Sequence, residues 1–385
     1  MNVILFDTDR ENLYPLSLTR PISDFRVGIL TIKEKWEFYY KSTSVLTEDY
    51  LSEKFPCKIK KENLWINASV LPNDDLLTEI NSLRKGEVLK KYSEVIAINN
   101  HEFSTENLDE IESHSVFNKV NDLCDIFTLN SEEIKSDFNI LTKGRKSQKL
   151  AETNMKVGNY PLFIERGAKI EYSFINCTNG PVYIGVDAEV MEGCFIRGPF
   201  AMSNNSVLKI MARIYEGTTL GPYCKVGGEV NNSVFFGYSS KAHEGFLGNS
   251  VIGEWCNLGA DTNNSNLKNN YDEVKLWNYK TERFKKTGLQ FCGLIMSDHS
   301  KCGINTMFNT GTVVGVSANI FGSGFPRNFI PSFSWGGSSG FTTYKTNKVF
   351  EVAEIVMKRR NLEFSDLDKK ILNKVFELTS KYRNY

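Results

Sequence analysis

A run of apolar residues at a fixed spacing of six constrains this chain more than any other feature. Counting in sixes meets an apolar residue eight times in succession, at Ile184, Val190, Ile196, Met202, Leu208, Ile214, Leu220 and Val226. Helices repeat every 3.6 residues and strands every two, so neither produces this period. A chain that turns a corner every six residues does produce it. The pattern therefore predicts a parallel β-helix, which for this period is left-handed.

The extent of the repeat divides the chain into three predicted parts. Residues 156–340 carry the repeat, with an interruption over 263–287 that we expect to loop out on the binding face. Residues 1–155 alternate short apolar strands, such as Val3–Phe6, with helical patterns, which predicts an α/β domain of Rossmann-like type with a parallel sheet. Residues 341–385 predict a helical tail that covers an end of the solenoid or a neighbouring subunit.

The overall composition excludes several classes of partner. Lys and Arg together number 46 and Asp and Glu also number 46, so nothing indicates binding to nucleic acid or to an anionic membrane. No apolar run approaches the roughly 20 residues of a membrane helix, and the start does not resemble a signal peptide. We therefore expect a cytoplasmic protein. The eight cysteines contain no CxxC pair, so they predict small buried residues and no metal site.

The chemistry is concentrated where the repeat is least regular. Four motifs follow one another there: Lys241-Ala242-His243, Phe246-Leu247-Gly248, Asn257-Leu258-Gly259-Ala260 and Asn266-Leu267-Lys268. Their order resembles the acetyltransferase domain of the bifunctional N-acetylglucosamine-1-phosphate uridylyltransferase/glucosamine-1-phosphate acetyltransferase family, which reads K-A-G-H, Y-L-G-D, N-I-G-A and then a loop with a lysine. This chain departs from that pattern in having no residue between Ala242 and His243, and in having Asp261 where the family has glycine.

The resemblance implies a role for each motif. His243 becomes the general base that deprotonates an amino sugar, since imidazole titrates near neutral pH. The sugar phosphate is then held by Lys241, Asn257, Asn266, Lys268 and Arg213. Backbone N–H groups near Ala260 would bind the oxyanion of the acetyl-CoA thioester. The family also implies a homotrimer with the acetyl-CoA site between subunits. For His299, the other histidine within the repeat, the sequence favours a structural role.

The N-terminal part carries a second, weaker resemblance. Residues 13–21 are similar to the L-x-P-L-T-x-x-x-P segment that opens sugar-nucleotide pyrophosphorylases. The glycine-rich phosphate loop that precedes this segment in the family is absent, and residues 64–69 lack the metal-binding Asp. The basic residues to test for nucleotide phosphates are Arg10, Arg20, Arg26 and Lys33. If this domain is active, Mg²⁺ would neutralise phosphate charge there.

Three functions follow from these patterns. The leading hypothesis is acetylation of glucosamine 1-phosphate from acetyl-CoA, followed by coupling of the product to UTP to give UDP-N-acetylglucosamine. One alternative retains only sugar-1-phosphate nucleotidyl transfer and makes the β-helix a trimerisation scaffold. The other is a non-enzymatic binding protein with degenerate sites. The missing glycine-rich loop favours the last alternative, and the motif around His243 opposes it.

Overall fold

A computed structural model describes all residues from 1 to 385. The N-terminal domain contains one six-stranded sheet in the order β2-β1-β3-β5-β4-β6. Its strands are β1 (Asn2–Phe6), β2 (Thr43–Leu46), β3 (Asn63–Asn67), β4 (Glu87–Lys91), β5 (Glu94–Asn99) and β6 (Asp109–Glu112). Strands β1, β2 and β3 are parallel, whereas β5 is antiparallel to both β3 and β4. The α/β fold is thus confirmed, although the sheet is mixed rather than wholly parallel.

Short helices surround this sheet. The α-helices are α1 (Ile32–Tyr39), α2 (Asp49–Ser52), α3 (Asp74–Ser82), α4 (Asp125–Thr128) and α5 (Asn130–Thr142), and 3₁₀ helices cover Arg10–Leu13, Leu16–Leu18 and Ile22–Asp24. Helix α1 begins at a capping box in which Thr31 and Glu34 each accept a hydrogen bond from the other's backbone N–H.

The second part is a parallel β-helix with three sheets. Sheet 1 contains Met155–Val157, Phe174–Asn176, Phe195–Arg197, Arg213–Ile214, Glu229–Asn231 and Phe246–Gly248. Sheet 2 contains Leu162–Ile164, Val182–Ile184, Phe200–Met202, Thr218–Leu220, Val234–Gly237, Val251–Glu254, Leu294–Met296, Thr312–Val314 and Phe329–Ile330. Sheet 3 contains Lys169–Ile170, Glu189–Val190, Val207–Leu208, Lys225–Val226, Ser240–Lys241, Asn257–Leu258, Lys301–Cys302, Asn319–Ile320, Ser334–Gly337 and the antiparallel Gly340–Thr343.

The six-residue period determines which side chains fill the coils. Ile184, Met202 and Leu220 lie in register on neighbouring strands of sheet 2, so three steps of six return the chain to the same sheet. All eight residues of the run are buried in one hydrophobic core. The predicted β-helix is therefore confirmed. Each coil passes through sheets 1, 2 and 3 in turn, and we name its corners the 1–2, 2–3 and 3–1 corners.

The interruption of the repeat forms an insertion at a 1–2 corner. The chain leaves after a short strand, Asn263–Asn264, which pairs with Met307–Phe308, and it returns at Leu294. Within the insertion an antiparallel hairpin joins Lys275–Asn278 to Arg283–Lys286. This agrees with the expected loop.

The N-terminal domain packs against sheet 2. One hydrophobic core combines its residues, such as Leu64 and Phe127, with Val234, Val251 and Ile295 of sheet 2. In a triangular coil the 3–1 corner is opposite sheet 2. That corner therefore faces away from the N-terminal domain.

The tail forms two helices, α6 (Thr346–Lys358) and α7 (Asp366–Leu378), followed by a 3₁₀ turn at Ser380–Tyr382. They pack on the 2–3 corner through a cluster that includes Trp255, Phe333, Val349 and Val375. The helices thus lie along the side of the β-helix, whereas the sequence predicted that they cover its end or a neighbouring subunit. None of the helices combines the length and apolar character that crossing a bilayer requires.

Candidate active site

His243 lies on the 3–1 corner that joins Ser240–Lys241 to Phe246–Gly248. Its side chain is exposed and makes no hydrogen bond within the protein. The shape of this corner depends on Gly245, whose φ is +117° and at which a Cβ would lie 2.1 Å from the carbonyl oxygen of Thr262. Only glycine tolerates that conformation and that approach. The imidazole is therefore presented to solvent on a corner of fixed shape.

Lys241 does not point to solvent as the sequence hypothesis required. It lies in register with Val226, in the slot that apolar residues fill in other coils, and it is 1% exposed. Its Nζ donates to the carbonyls of Gly227 (2.9 Å) and His243 (3.0 Å). Burial lowers the pKa of Lys241 to about 8. A phosphate cannot reach this ammonium, so we correct its assignment: Lys241 holds the His243 corner from inside the coil.

Arg213 lies on the outside of sheet 1, near the same corner. Its guanidinium donates to Glu244 at 2.7 Å and is 4.0 Å from Glu229. The hydrogen bond that Arg213 donates to Glu244 raises the pKa of Arg213. Two carboxylates thus compete with any substrate phosphate for this exposed cation.

Ala260 and Asn257 belong to the next coil, Ala260 on its 3–1 corner and Asn257 opposite Ser240 on sheet 3. The Asp261 N–H donates to the Glu244 carbonyl at 3.0 Å, which stacks the two 3–1 corners directly on each other. The neighbouring N–H of Ala260 has no acceptor within the protein. Asn257 is exposed on the adjacent strand of sheet 3. The stacked corners therefore put an exposed imidazole and a free backbone donor at neighbouring positions, and the strand that leads into the second corner carries an exposed amide.

Asn266 and Lys268 are not part of this corner. Asn266 donates to Asn249 at 2.8 Å, at the far end of the three-residue strand Phe246–Gly248, which spans about 10 Å. Lys268 lies further into the insertion and donates to the Glu273 carbonyl at 2.6 Å. The sequence motifs place these residues beside His243, whereas the β-helix separates them by the width of sheet 1.

The three N-terminal arginines are buried, and their charges are already paired. Arg10 donates to Asp7, to the Ser17 carbonyl and to Thr47 Oγ1. Arg26 donates to the carbonyls of Phe236 (3.2 Å) and Ile29. Neither guanidinium is free for a nucleotide phosphate, which corrects the role expected from the sequence.

Arg20 joins the N-terminal domain to the β-helix instead of binding phosphate. It contacts Asp298 and lies 3.2 Å from Glu254. Burial lowers the pKa of Arg20, but the two carboxylates outweigh burial and raise it above the usual range. Lys33 is half-buried and lines a cavity of about 130 Å³ with Lys54 and Lys58. Each of the three arginines has a carboxylate within ion-pair distance. Of the four predicted phosphate ligands, only Lys33 has none.

The residues at the carboxyl ends of β1 and β3 do not fit a protein-held Mg²⁺. Ligands of open α/β sheets bind outside this point, where the strand order reverses. The Asp7 carboxylate accepts from Arg10, from Thr47 and from the Ile22 N–H. Asn67 accepts from Ser69 at 2.7 Å and offers only an amide. No group of three His, Cys, Asp or Glu residues that could hold a metal ion comes together in the chain.

A cavity of about 250 Å³ where the three parts meet was not predicted. The polar residues that line it are Thr19, Arg20, Asp24, Lys54, Glu254, Asp298, His299 and Asp368. Burial lowers the pKa of His299 to about 3, and Nδ1 of this residue is buried without a partner. Burial also raises the pKa of Asp24 to about 6. Acidic residues outnumber basic ones here, so the cavity does not suit a polyphosphate. Its residues lie far apart in sequence, and no local motif connects them.

Comparison with known proteins supports the N-terminal assignment at the level of a family. Residues 3–146 match the family model described as sugar nucleotidyl transferase. Among solved structures, a UDP-N-acetylglucosamine acyltransferase from Arabidopsis matches with 13% identity over 61% of this chain and 94% of that chain, at a TM-score of 0.21. A likeness at that TM-score carries no argument about function. No curated protein sequence matches the chain. The N-terminal domain is therefore similar to sugar nucleotidyl transferases, and the chain that carries it is a transferase.

Proposed function

We propose that this transferase acetylates an amino-sugar 1-phosphate, glucosamine 1-phosphate, with acetyl-CoA at the His243 corner. The N-terminal domain then couples the N-acetylated product to UTP and releases pyrophosphate. The observation that carries the acetyl-transfer step is the stacking of two 3–1 corners, which puts the exposed His243 beside the free N–H of Ala260. The observation that carries the second step is the family match over residues 3–146.

In this proposal the residues of the corner supply the base and the oxyanion donor for acyl transfer to nitrogen. The amine of the sugar is protonated in water, and His243 takes one proton so that the nitrogen lone pair attacks the thioester carbonyl. The Ala260 N–H donates to the oxyanion that forms. The carbon–sulfur bond then breaks, the amide forms, and the CoA thiolate leaves with a proton. Asn257 would hold a sugar hydroxyl, and Lys241 keeps the corner in shape from inside the coil.

A homotrimer would complete this site. The outer side of sheet 1 exposes a stack of Phe174 on Phe195, with ring centroids 5.1 Å apart and planes 3° apart, and Met155 is 56% exposed beside it. Contiguous apolar surface of this kind favours contact with another protein. Since sheet 1 adjoins the 3–1 corner, a second subunit packed on it would lie next to His243 and supply the other wall of an acetyl-CoA site.

The second candidate function is nucleotidyl transfer alone, with the β-helix as a scaffold. The family match favours it directly, because it covers the N-terminal domain and not the β-helix. The buried ion pair of Arg10 with Asp7 and the lack of a cluster of metal-ligating side chains make this domain an unusual nucleotide site. If this candidate is correct, His243 has no role in turnover.

Two assays on the full chain separate the candidates. The first follows release of the CoA thiol from acetyl-CoA with glucosamine 1-phosphate and a panel of other amino-sugar phosphates. The second follows pyrophosphate release from UTP with N-acetylglucosamine 1-phosphate. Release of the CoA thiol that requires an amino-sugar phosphate supports the proposal. Pyrophosphate release without any thiol release supports the second candidate, and absence of both reactions contradicts both.

A further inference from the structure

A basic and aromatic cleft lies between the inserted hairpin and the last coils of the β-helix. It has a volume of about 660 Å³ and is lined by Lys268, Lys275, Trp277, Phe284, Thr310, Arg327, Asn328 and Phe329. Three of these eight side chains are cationic and none is acidic. The cleft is separate from the His243 corner, and none of its residues belongs to the N-terminal domain.

The charges of this cleft are not balanced by the protein. Lys275 and Arg327 are exposed and form no ion pair. In the hairpin Lys275 stands directly opposite Lys286. Like charges directly opposite each other destabilise a pair of strands. Lys286 is 3.4 Å from Glu273, which leaves Lys275 without a counter-charge. This arrangement favours an anion with more than one charge.

The aromatic side chains supply a surface for a flat ring. Trp277 stacks on Phe329 with ring centroids 4.3 Å apart and planes 11° apart, and Phe284 meets Trp277 edge-on at 5.4 Å. Phe284 is 45% exposed, so a face of its ring is free. The indole N–H of Trp277 is buried and has no acceptor within the protein. Stacking of a base on an exposed aromatic ring requires only such a free face.

We propose that this cleft binds a nucleotide, with the base against Phe284 and the phosphates on Lys275, Arg327 and Lys268. The ligand class follows from an aromatic surface and three cations within one cavity, which match a base and two or more phosphates. Two sources share that chemistry: UTP or a UDP-sugar, and the adenosine phosphate portion of CoA. The inference does not depend on His243 or on acetyl transfer.

The hairpin also connects this cleft to the N-terminal domain. Lys280 at its tip is 3.0 Å from Asp9, in the loop after β1, and Lys285 is 2.9 Å from Asp122. A nucleotide bound in the cleft would therefore contact the hairpin, which in turn contacts the loop after β1.

Calorimetric titration of the full chain with UTP, UDP-N-acetylglucosamine and CoA tests the proposal. We expect at least one of the three to bind the wild type, and the double variant Lys275→Ala/Arg327→Ala to weaken that binding by about tenfold or more. Phe284→Ala should weaken it as well. The matched control is Arg283→Ala, which removes an exposed cation from the same hairpin outside the cleft.

Each outcome decides between the alternatives. Weaker binding in the cleft variants with unchanged binding in Arg283→Ala supports the proposal, and the probe that binds tightest identifies the source. The proposal is overturned if none of the probes binds, if the double variant binds as the wild type does, or if Arg283→Ala weakens binding equally. Because all altered residues are exposed, an unchanged melting temperature is expected throughout. Turnover at His243 is measured separately, so failure of one proposal does not hide the other.

Discussion

Two corners of the same β-helix each carry a histidine, in opposite environments. His243 on the 3–1 corner is exposed and has no partner, whereas His299 on the 2–3 corner is half-buried, and its Nδ1 is fully buried. The difference arises from what packs outside each corner. The tail helices and the N-terminal domain cover the 2–3 corner, and nothing within the chain covers the 3–1 corner.

One repeat thus produces both a corner that joins three parts of the molecule and a corner that is accessible to solvent. At the 2–3 corner Tyr223, Tyr238, Trp255 and His299 stack in a ladder, and His299 meets Phe364 of the tail edge-on. At the 3–1 corner the side chains are small, polar or exposed. We therefore expect substitutions at the 2–3 corner to change stability, and substitutions at the 3–1 corner to change turnover.

The largest effect on stability is expected from Arg20→Ala. It would leave the carboxylates of Asp298 and Glu254 without their cation at the joint, which should cost about 3–5 kcal/mol of unfolding free energy. Urea denaturation measures this. The matched control is Arg213→Ala, whose exposed ion pair should contribute at most about 1 kcal/mol. Equal losses in the two variants would remove the distinction between the corners.

The next effect is a dependence of stability on pH through His299. Its pKa is lowered from 6.5 to about 3 in the folded chain, so between these values the unfolded chain binds the extra proton. Folding stability should then fall as the pH drops below 6.5, by up to about 1.4 kcal/mol per unit. The charged groups around His299 are Lys301, Asp368, Glu254 and Lys54.

Other groups titrate in the same range, so the effect must be measured as a difference. Burial raises the pKa of both Asp24 and Asp137 to about 6, and these carboxyls act in the opposite direction. Between pH 6.5 and pH 4.5 we expect the wild type to lose stability relative to His299→Phe, because only the wild type carries the titrating imidazole. A difference that stays constant across that interval would contradict the buried, neutral state of His299.

A smaller effect is expected from Lys241→Met. The substitution keeps the volume inside the coil but leaves the carbonyls of Gly227 and His243 without a donor. The free energy of unfolding should fall by about 1–2 kcal/mol, because removal of the buried charge offsets only part of the lost hydrogen bonds. Since the corner would be held less rigidly, KM for the amino-sugar phosphate should rise several-fold. An unchanged KM would show that Lys241 does not position the corner.

The fold could be predicted from the sequence because its elements are specified by residues that lie close together in the chain. The spacing of six specifies the coils, and Val3–Phe6 and Thr31–Glu34 specify the first strand and helix of the N-terminal domain. The candidate site was only partly predictable. The motif predicts His243 as the general base, which stays a prediction. The motif does not show that Lys241 occupies an interior slot, because the frame of the repeat shifts after Val226.

Contacts between residues that lie far apart in the sequence could not be predicted from local patterns. Arg20 and Asp298 are 278 positions apart, and their contact depends on how the N-terminal domain packs on sheet 2. The same is true of the cleft, in which Lys275 of the hairpin and Arg327 of a late coil come together. Charge alone made Arg20 resemble a phosphate ligand, and only the packing shows its partners.

The most direct test of the account compares the two histidines in one acetyl-transfer experiment. Initial rates of CoA thiol release with glucosamine 1-phosphate are measured at pH 7.5 for the wild type, His243→Ala and His299→Phe, with melting temperatures recorded alongside. We predict that His243→Ala loses about 10²–10⁴-fold in kcat without a change in melting temperature. His299→Phe should keep its rate within a few-fold. Full turnover in His243→Ala would contradict the account.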